Sequence, residues 1–490
     1  MIHIRIRPNF DSDVVVVGAG PAGAAFAVHM VRAGFKVMLI DRQTFPRDKV
    51  CGDFVGPAAL LELKQLGITD LDAYKRTNKI RHATLYLDGK ELITQSLPRV
   101  ANLPVNARVI TRMMLDHWIL EAARKAGAQI LEGHKVIGFE IDSDGVEISL
   151  QGAAGARTLR TKLLIGADGS SSTVARLMRG SGASNEDRII AVRAYFEGIE
   201  GPADEADLYF TGKSFPGYYW LFPTGKKSAN VGVGMVLETL PPADNHLRDL
   251  LSELIEKDSA LKKRLKNARM VGKVVGWPLT TYNPGLKITD DRIMLIGDAA
   301  GLINPLNGEG IQYALLSGKW AAEAAANCCR TGDFGKKVLE PYAGRIEKEF
   351  RYDMALAGFL VQMIRNRILN PVWLQSLRII VARARLDPDY AYIAGGILAG
   401  LLPASKVVNP EFILSTLEQA AMSMGVETAL NVIRGPEYLA NIGLRGLELG
   451  FDMAAETVQN PLGLFRWGFG VTNSAVELFG QVAKDFLSPS

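Results

Sequence analysis

Four consecutive valines, Val14 to Val17, run straight into Gly18-Ala-Gly20-Pro-Ala22-Gly23, and that junction limits what the chain can fold into. An unbroken apolar run suits a parallel strand buried on both faces. A segment with helical periodicity follows to Ala33, Gly34 stops it, and Lys36 to Ile40 reads as a second strand. The unit is therefore strand–helix–strand, with a right-handed crossover. The first glycine permits the tight turn, the second lets a pyrophosphate reach the backbone, and the third lets helix and strand pack closely. The helix start offers free N–H groups and the positive end of its dipole to phosphate. Asp41 ends the second strand about 20 residues on, where a carboxylate accepts from a ribose hydroxyl. Together these features predict a dinucleotide site.

The bulk numbers narrow the surroundings. A chain of 490 residues exceeds one ordinary core, so two or three domains are expected. Lys and Arg number 56 against 52 Asp and Glu, a balance that does not predict nucleic-acid binding. Cys51, Cys328 and Cys329 cannot build a disulfide framework, which points to a reducing, cytoplasmic compartment. The six histidines lack ligand spacing, so no metal site is expected. Gly169-Ser-Ser-Ser172 lacks the strained elbow of a serine hydrolase. Residues 1–10 lack the apolar core of a secretory signal, and no run reaches the roughly 20 apolar residues needed to span a bilayer.

Beyond Gly52 the pattern loosens. Residues 57–66 and 113–126 carry helical periodicity, while 81–95 and 136–150 alternate as strands do. Leu163 to Ile165 is a further buried strand, closed by Gly166-Ala-Asp168-Gly169. Residues 190–236 alternate, with many aromatics, and predict a second, largely antiparallel sheet. Arg292 to Ile296 returns to the parallel style, and a long helix is expected from about Gly310 to Cys328. The nucleotide domain is thus expected to be interrupted and resumed. We assign 10–80, 106–189 and 276–354 to it, 81–105 and 190–275 to a substrate domain, and 355–490 to a helical C-terminal region.

Later segments bear on which dinucleotide is held. Thr111-Arg112 opens a helix whose arginine either reaches the phosphates or is a solvated cation. Asp168 is either a ligand or a structural turn residue. Asp298 ends a strand, where it suits a polyol chain, and the glycines of Asn304-Pro-Leu-Asn-Gly308-Glu-Gly310-Ile311 clear room for a flat ring. A helix starting near Gly310 aims its dipole at that ring and favours negative charge there.

In this order the segments resemble the flavoprotein group that contains p-hydroxybenzoate hydroxylase. Within it, Pro46-Arg-Asp-Lys-Val-Cys51-Gly52-Asp53 and Gly217-Tyr218-Tyr-Trp220-Leu-Phe222-Pro223 look most like the geranylgeranyl reductase family. The resemblance covers residues 10–350 or so. It implies an α/β fold: a Rossmann-type FAD-binding domain, an antiparallel-sheet (α+β) substrate domain and a helical C-terminal region. It also implies that FAD is held by Gly18, Gly20, Ala22, Gly23, Asp41, Arg42, Cys51, Gly52, Arg112, Val136, Asp168, Asp298, Gly308, Gly310 and Ile311.

The resemblance further implies that Cys51 lies near the flavin ring as a proton donor or substrate-positioning thiol. A lone cysteine is otherwise a small buried hydrophobe. Arg47 and Lys49 favour its thiolate, and burial opposes it. Asp53 stands where the family loop often carries a glycine, which alters the loop's shape. Tyr218, Trp220 and Phe222 share one strand face; with Pro223 they are implied to line an apolar cavity, the alternative being a plain core face. The expected activity is an FAD-dependent oxidoreductase that reduces C=C bonds of an isoprenoid or polyprenyl lipid by hydride transfer, with NAD(P)H as donor. The alternative on the same fold is a monooxygenase that hydroxylates or epoxidises an apolar substrate. Residues 359–385 hold Arg365, Arg367, Arg378, Arg383 and Arg385 and no acid, which suits helices that rest on the inner face of a membrane or cap the cavity.

Overall fold

The valine run becomes the strand Ser12–Val17 in a computed structural model that describes residues 10–181, 188–212, 214–240 and 247–402, with short pieces within 406–422 and 467–476. This strand pairs in parallel with Val37–Ile40 on one side and Gly155–Gly166 on the other. Gln129–Leu131 and Ile293–Leu295 extend the parallel set outward. Val14, Val15 and Val16 are fully buried, as a strand covered on both faces requires. The helix Pro21–Arg32 packs against both Arg112–Ala126 and Ile311–Thr331. At Gly318 the second contact is so close that a Cβ would lie 2.5 Å from the Ala22 carbonyl oxygen. Lys135–Ile141 and Val146–Gly152 form an antiparallel extension of the long strand Gly155–Gly166.

The second sheet has seven strands in the order Arg269–Thr280, Arg188–Glu197, Ser228–Val236, Tyr218–Gly225, Glu205–Phe210, His82–Leu87, Lys90–Ser96. Its pairings are antiparallel except for Glu205–Phe210 with His82–Leu87. One face is apolar core, where Tyr209, Tyr219, Leu221, Val231 and Val233 meet Leu250 and Leu254 of the helix Leu247–Lys257. A small sheet of Phe54–Val55, Ala107–Val109 and Asn78–Ile80 stands beside it.

The mixed α/β architecture expected from the sequence is the one observed. The change in composition near residue 355 does not coincide with an element boundary, because one helix runs from Lys336 to Ile364. Asn370–Leu386 and Pro388–Leu398 follow it, and most of what comes after 402 lies outside the described residues. Among the described residues no helix is long and apolar enough to cross a membrane.

Candidate functional site

The glycine turn assigns its three glycines different tasks. Gly18 sits at φ +105°, and a Cβ there would fall 2.2 Å from the Ala167 carbonyl oxygen, so only glycine fits. Gly23 lies behind the turn, where a Cβ would stand 2.0 Å from the Gly18 carbonyl oxygen. It packs helix on strand. Gly20 faces the cavity and caps the helix Pro21–Arg32 without a side-chain hydrogen bond, so the helix-start N–H groups face outward. Asp41 braces the turn by accepting from the backbone N–H of Ala19 at 2.9 Å and of Gln43 at 2.8 Å.

One cavity of about 1380 Å³ opens from this turn. Gly18, Gly20, Ala22, Asp41, Arg42, Cys51, Gly52, Arg112, Val136, Asp168, Asp298, Gly308, Gly310 and Ile311 all lie in its walls. Ordinary ligand pockets span roughly 300–1,000 Å³, so there is room for a dinucleotide and a second molecule. A second uncapped helix start, at Gly310, faces the same space. Two such starts facing one cavity suit a ligand with a pyrophosphate and an electron-rich ring, so the residues fit FAD.

Several charged groups on the walls are paired. The Arg112 guanidinium is buried and held by Asp116 through two bonds of 2.7 and 2.8 Å, with Arg47 on the same carboxylate at 2.9 Å. Arg112 is thus a buried cation of the wall and not a solvated one. Burial would raise the Asp298 carboxyl, but Lys49 at 2.8 Å and Arg112 hold it below the ordinary carboxylate range. Asp168 accepts from the Ser172 hydroxyl and from the backbone N–H of Thr173 at 2.6 Å, so its carboxylate caps the helix Thr173–Arg179 while also touching the cavity. Among the described residues no cluster is arranged to hold a metal ion.

Cys51 is half-buried on the wall. Burial pushes its thiol up despite the opposing charges of Arg112 and Lys49, so the neutral thiol is the resting form. Lys49 and Arg47 are engaged by Asp298 and Asp116. Glu309, in the turn before Gly310, also faces the cavity, and burial raises its carboxyl to about 8. No local sequence signal marks it, because only the folded loop removes it from water.

Tyr218, Trp220 and Phe222 form a continuous aromatic wall, with successive ring centroids 6.0 and 6.1 Å apart. The indole N–H of Trp220 donates to Asn230 Oδ1 at 2.9 Å, and the Tyr218 hydroxyl donates to the Asn307 carbonyl at 2.6 Å. Gly232 makes room for the indole, since a Cβ there would lie 2.3 Å from Trp220 Cζ2. Pro223 is a correction: strand alternation turns it to the opposite face with Tyr219 and Leu221, so it does not line the cavity. Sequence reasoning missed Asn230, although a single amide in the apolar run Ala229 to Val236, followed by glycines at 232 and 234, is a signal.

Trp373, Leu377, Ile380, Ala384, Ala391 and Leu398 close the cavity from the C-terminal helices. Asn307 Nδ2 ties this roof to the ring-side turn by donating to the Leu398 carbonyl at 3.2 Å. The expected basic membrane face is reduced. Arg365 meets Glu238 at 3.3 Å, Arg383 meets Asp387 at 2.9 Å, Arg367 donates to the Thr239 carbonyl at 2.8 Å, and Arg385 donates to the Leu92 carbonyl.

Comparison with known proteins agrees with this geometry. The family model described as an FAD binding domain matches residues 11–317. The menaquinone reductase of Mycolicibacterium smegmatis is 35% identical over 324 residues, 64% of this chain and 76% of that protein. Digeranylgeranylglycerophospholipid reductase 2 of Methanopyrus kandleri is 30% identical over 344 residues, 69% of this chain and 83% of that protein. The crystal structure of a geranylgeranyl bacteriochlorophyll reductase-like protein from Thermoplasma acidophilum shares the fold, with a TM-score of 0.62, 24% identity and coverage of 83% of this chain and 95% of that one.

Proposed function

We propose that this chain, which belongs to the FAD-binding-domain family of FAD-dependent oxidoreductases, reduces a carbon–carbon double bond in an isoprenoid or polyprenyl lipid, with NAD(P)H as electron donor. The observation that supports this most is the continuity of one cavity from the glycine turn to a wall of aromatic and aliphatic side chains. Such a wall suits a hydrocarbon chain, each buried methylene contributing roughly 0.8 kcal/mol. The two relatives above carry the word reductase in their names, and one name specifies a phospholipid with geranylgeranyl chains.

FAD, when bound, supplies the two-electron chemistry. The chain's own part is to orient and to exclude water. Gly20 and the open helix start receive the phosphates, and Asp41, Arg42, Val136 and Asp298 flank the rest of the cofactor. The helix start at Gly310 favours negative charge at the ring end. Tyr218, Trp220 and Phe222 hold the lipid, and Cys51 keeps a proton on the same wall. The roof helix Asn370–Leu386 turns exposed Val372 and Leu386 outward, 42% and 70% exposed, so the cavity can rest on the surface of a membrane from the cytoplasmic side.

The test is anaerobic incubation of the reduced protein with a polyprenyl lipid extract, followed by mass analysis. A product heavier by a pair of hydrogens is expected. No product under these conditions, with a product heavier by one oxygen atom and matching oxygen uptake in a parallel aerobic incubation, would establish the monooxygenase reaction instead.

A further inference from the structure

The loop that carries Cys51 is held by a carboxylate to which the reductive reading gives no task. We propose that Asp53 is a positioning residue whose carboxylate gathers donors from three other elements and so fixes the Cys51–Gly52 backbone against the aromatic wall. The inference rests on reading this cavity as the reaction site.

Asp53 is fully buried. Its Oδ1 accepts the backbone N–H of Arg112, at the start of the helix Arg112–Ala126, at 3.2 Å. Its Oδ2 accepts from the Tyr195 hydroxyl at 2.6 Å and from Asn230 Nδ2 at 2.9 Å. The same Asn230 nitrogen donates to the Cys51 carbonyl at 2.7 Å, while its Oδ1 accepts from Trp220. One amide therefore joins the loop, the acid and the wall. Its orientation is forced, because a flipped amide would set its oxygen against two acceptors and its nitrogen against the indole N–H.

Two further features agree. Tyr195 lies under the Arg193 guanidinium, 4.4 Å from the ring centroid, and Arg193 clasps both oxygens of Asp48 at 2.5 and 2.6 Å. The loop is thereby pinned at Asp48 as well as at Asp53. The second feature is the backbone: Asp53 sits at φ +63°, a conformation glycine adopts more readily. Glycine would relieve the backbone, so the aspartate is explained by what its carboxylate binds. Gly52 takes part through size, since a Cβ there would come within 3.1 Å of the Phe222 ring.

The test reads the thiol directly and needs no turnover. FAD-loaded protein and its Asp53→Gly and Asp53→Asn variants are treated with iodoacetamide across a pH series. Cys51 modification is followed by peptide mass mapping, with buried Cys328 as internal control. In Asp53→Gly the plateau rate at high pH is expected to rise at least tenfold while FAD is retained. Asp53→Asn keeps one acceptor and stays within threefold of the starting protein. In both variants the midpoint of the pH profile falls, because a neighbouring negative charge has gone. An unchanged plateau in Asp53→Gly overturns the proposal, and so does an equal rise in both variants, which would implicate charge alone. Should Asp53→Gly fail to fold, Tyr195→Phe removes a single donor and is expected to give a smaller acceleration; no acceleration there overturns the proposal too. A failure of double-bond reduction alongside the expected alkylation pattern would remove the substrate reading and leave Asp53 assigned.

Discussion

Gly20→Ala is expected to leave folding intact and to weaken FAD binding. The Gly20 backbone is extended, at φ −70° and ψ −175°, which alanine adopts without strain. The nearest neighbour of the added carbon is Arg47 Nη2 at 3.6 Å, an ordinary contact. The substitution also restricts the unfolded chain, so the cofactor-free protein gains roughly 0.4–1 kcal/mol. The same methyl group occupies the space through which a phosphate reaches the helix start. A hydrogen bond to a charged group contributes about 1.5–3 kcal/mol, so losing one weakens binding by roughly 10- to 150-fold. With FAD at ~100 times the original Kd, the ligand stabilises the starting protein by ~2.7 kcal/mol; after a ~100-fold loss of affinity it adds only ~0.4. Thermal unfolding with and without FAD, together with a fluorescence titration, reads both quantities. Gly23→Ala is the control, since its Cβ would meet the Gly18 carbonyl at 2.0 Å and cost about 3 kcal/mol or more even without ligand. FAD affinity within threefold of the starting protein in Gly20→Ala, or an undisturbed Gly23→Ala, would refute the reasoning.

Glu309→Gln should change the pH dependence of stability. The folded carboxyl, near 8, lies above its ordinary 4.5. Its contribution is therefore complete below pH 4.5 and is lost as pH rises through 8. At ~1.4 kcal/mol per pH unit the full span is ~5 kcal/mol, about half of which is expected because the residue keeps some solvent contact. Urea unfolding at both ends of that window should show a decline that Glu309→Gln lacks. Gly232→Ala should displace the Trp220 indole, destabilising the protein by ~1–3 kcal/mol and weakening lipid binding with little change in FAD affinity, as separate titrations would show. Leu386→Asp should lower co-sedimentation with anionic vesicles while FAD binding stays unchanged; equal sedimentation of both proteins would remove the roof helix from any lipid contact.

Much of the fold was legible where local pattern and burial coincide. The valine run and the apolar stretches at Leu163 and Ile293 were readable as strands because a strand covered on both faces needs no polar alternation. The alternation of Tyr218, Trp220 and Phe222 was readable for the same kind of reason, but Pro223 shares their motif without sharing their face. What stayed hidden depends on partners far apart in the chain. Lys49 meets Asp298 across 249 positions and Asn230 meets Asp53 across 177, and no local period encodes either contact. The arginines of 359–385 looked unpaired because Glu238 comes from a distant segment and Asp387 lies just past the window.

The near-touching backbones at Gly318 and Ala22 make the two helices that begin at Gly20 and Gly310 a single rigid piece. The distance between their open starts is then a built-in ruler, insensitive to side-chain rearrangement around it. Flavin mononucleotide and FAD share the same ring–ribityl–phosphate span, so this spacing seats the ring of either, and preference for the longer cofactor has to come from the second phosphate and the ribose beside Asp41.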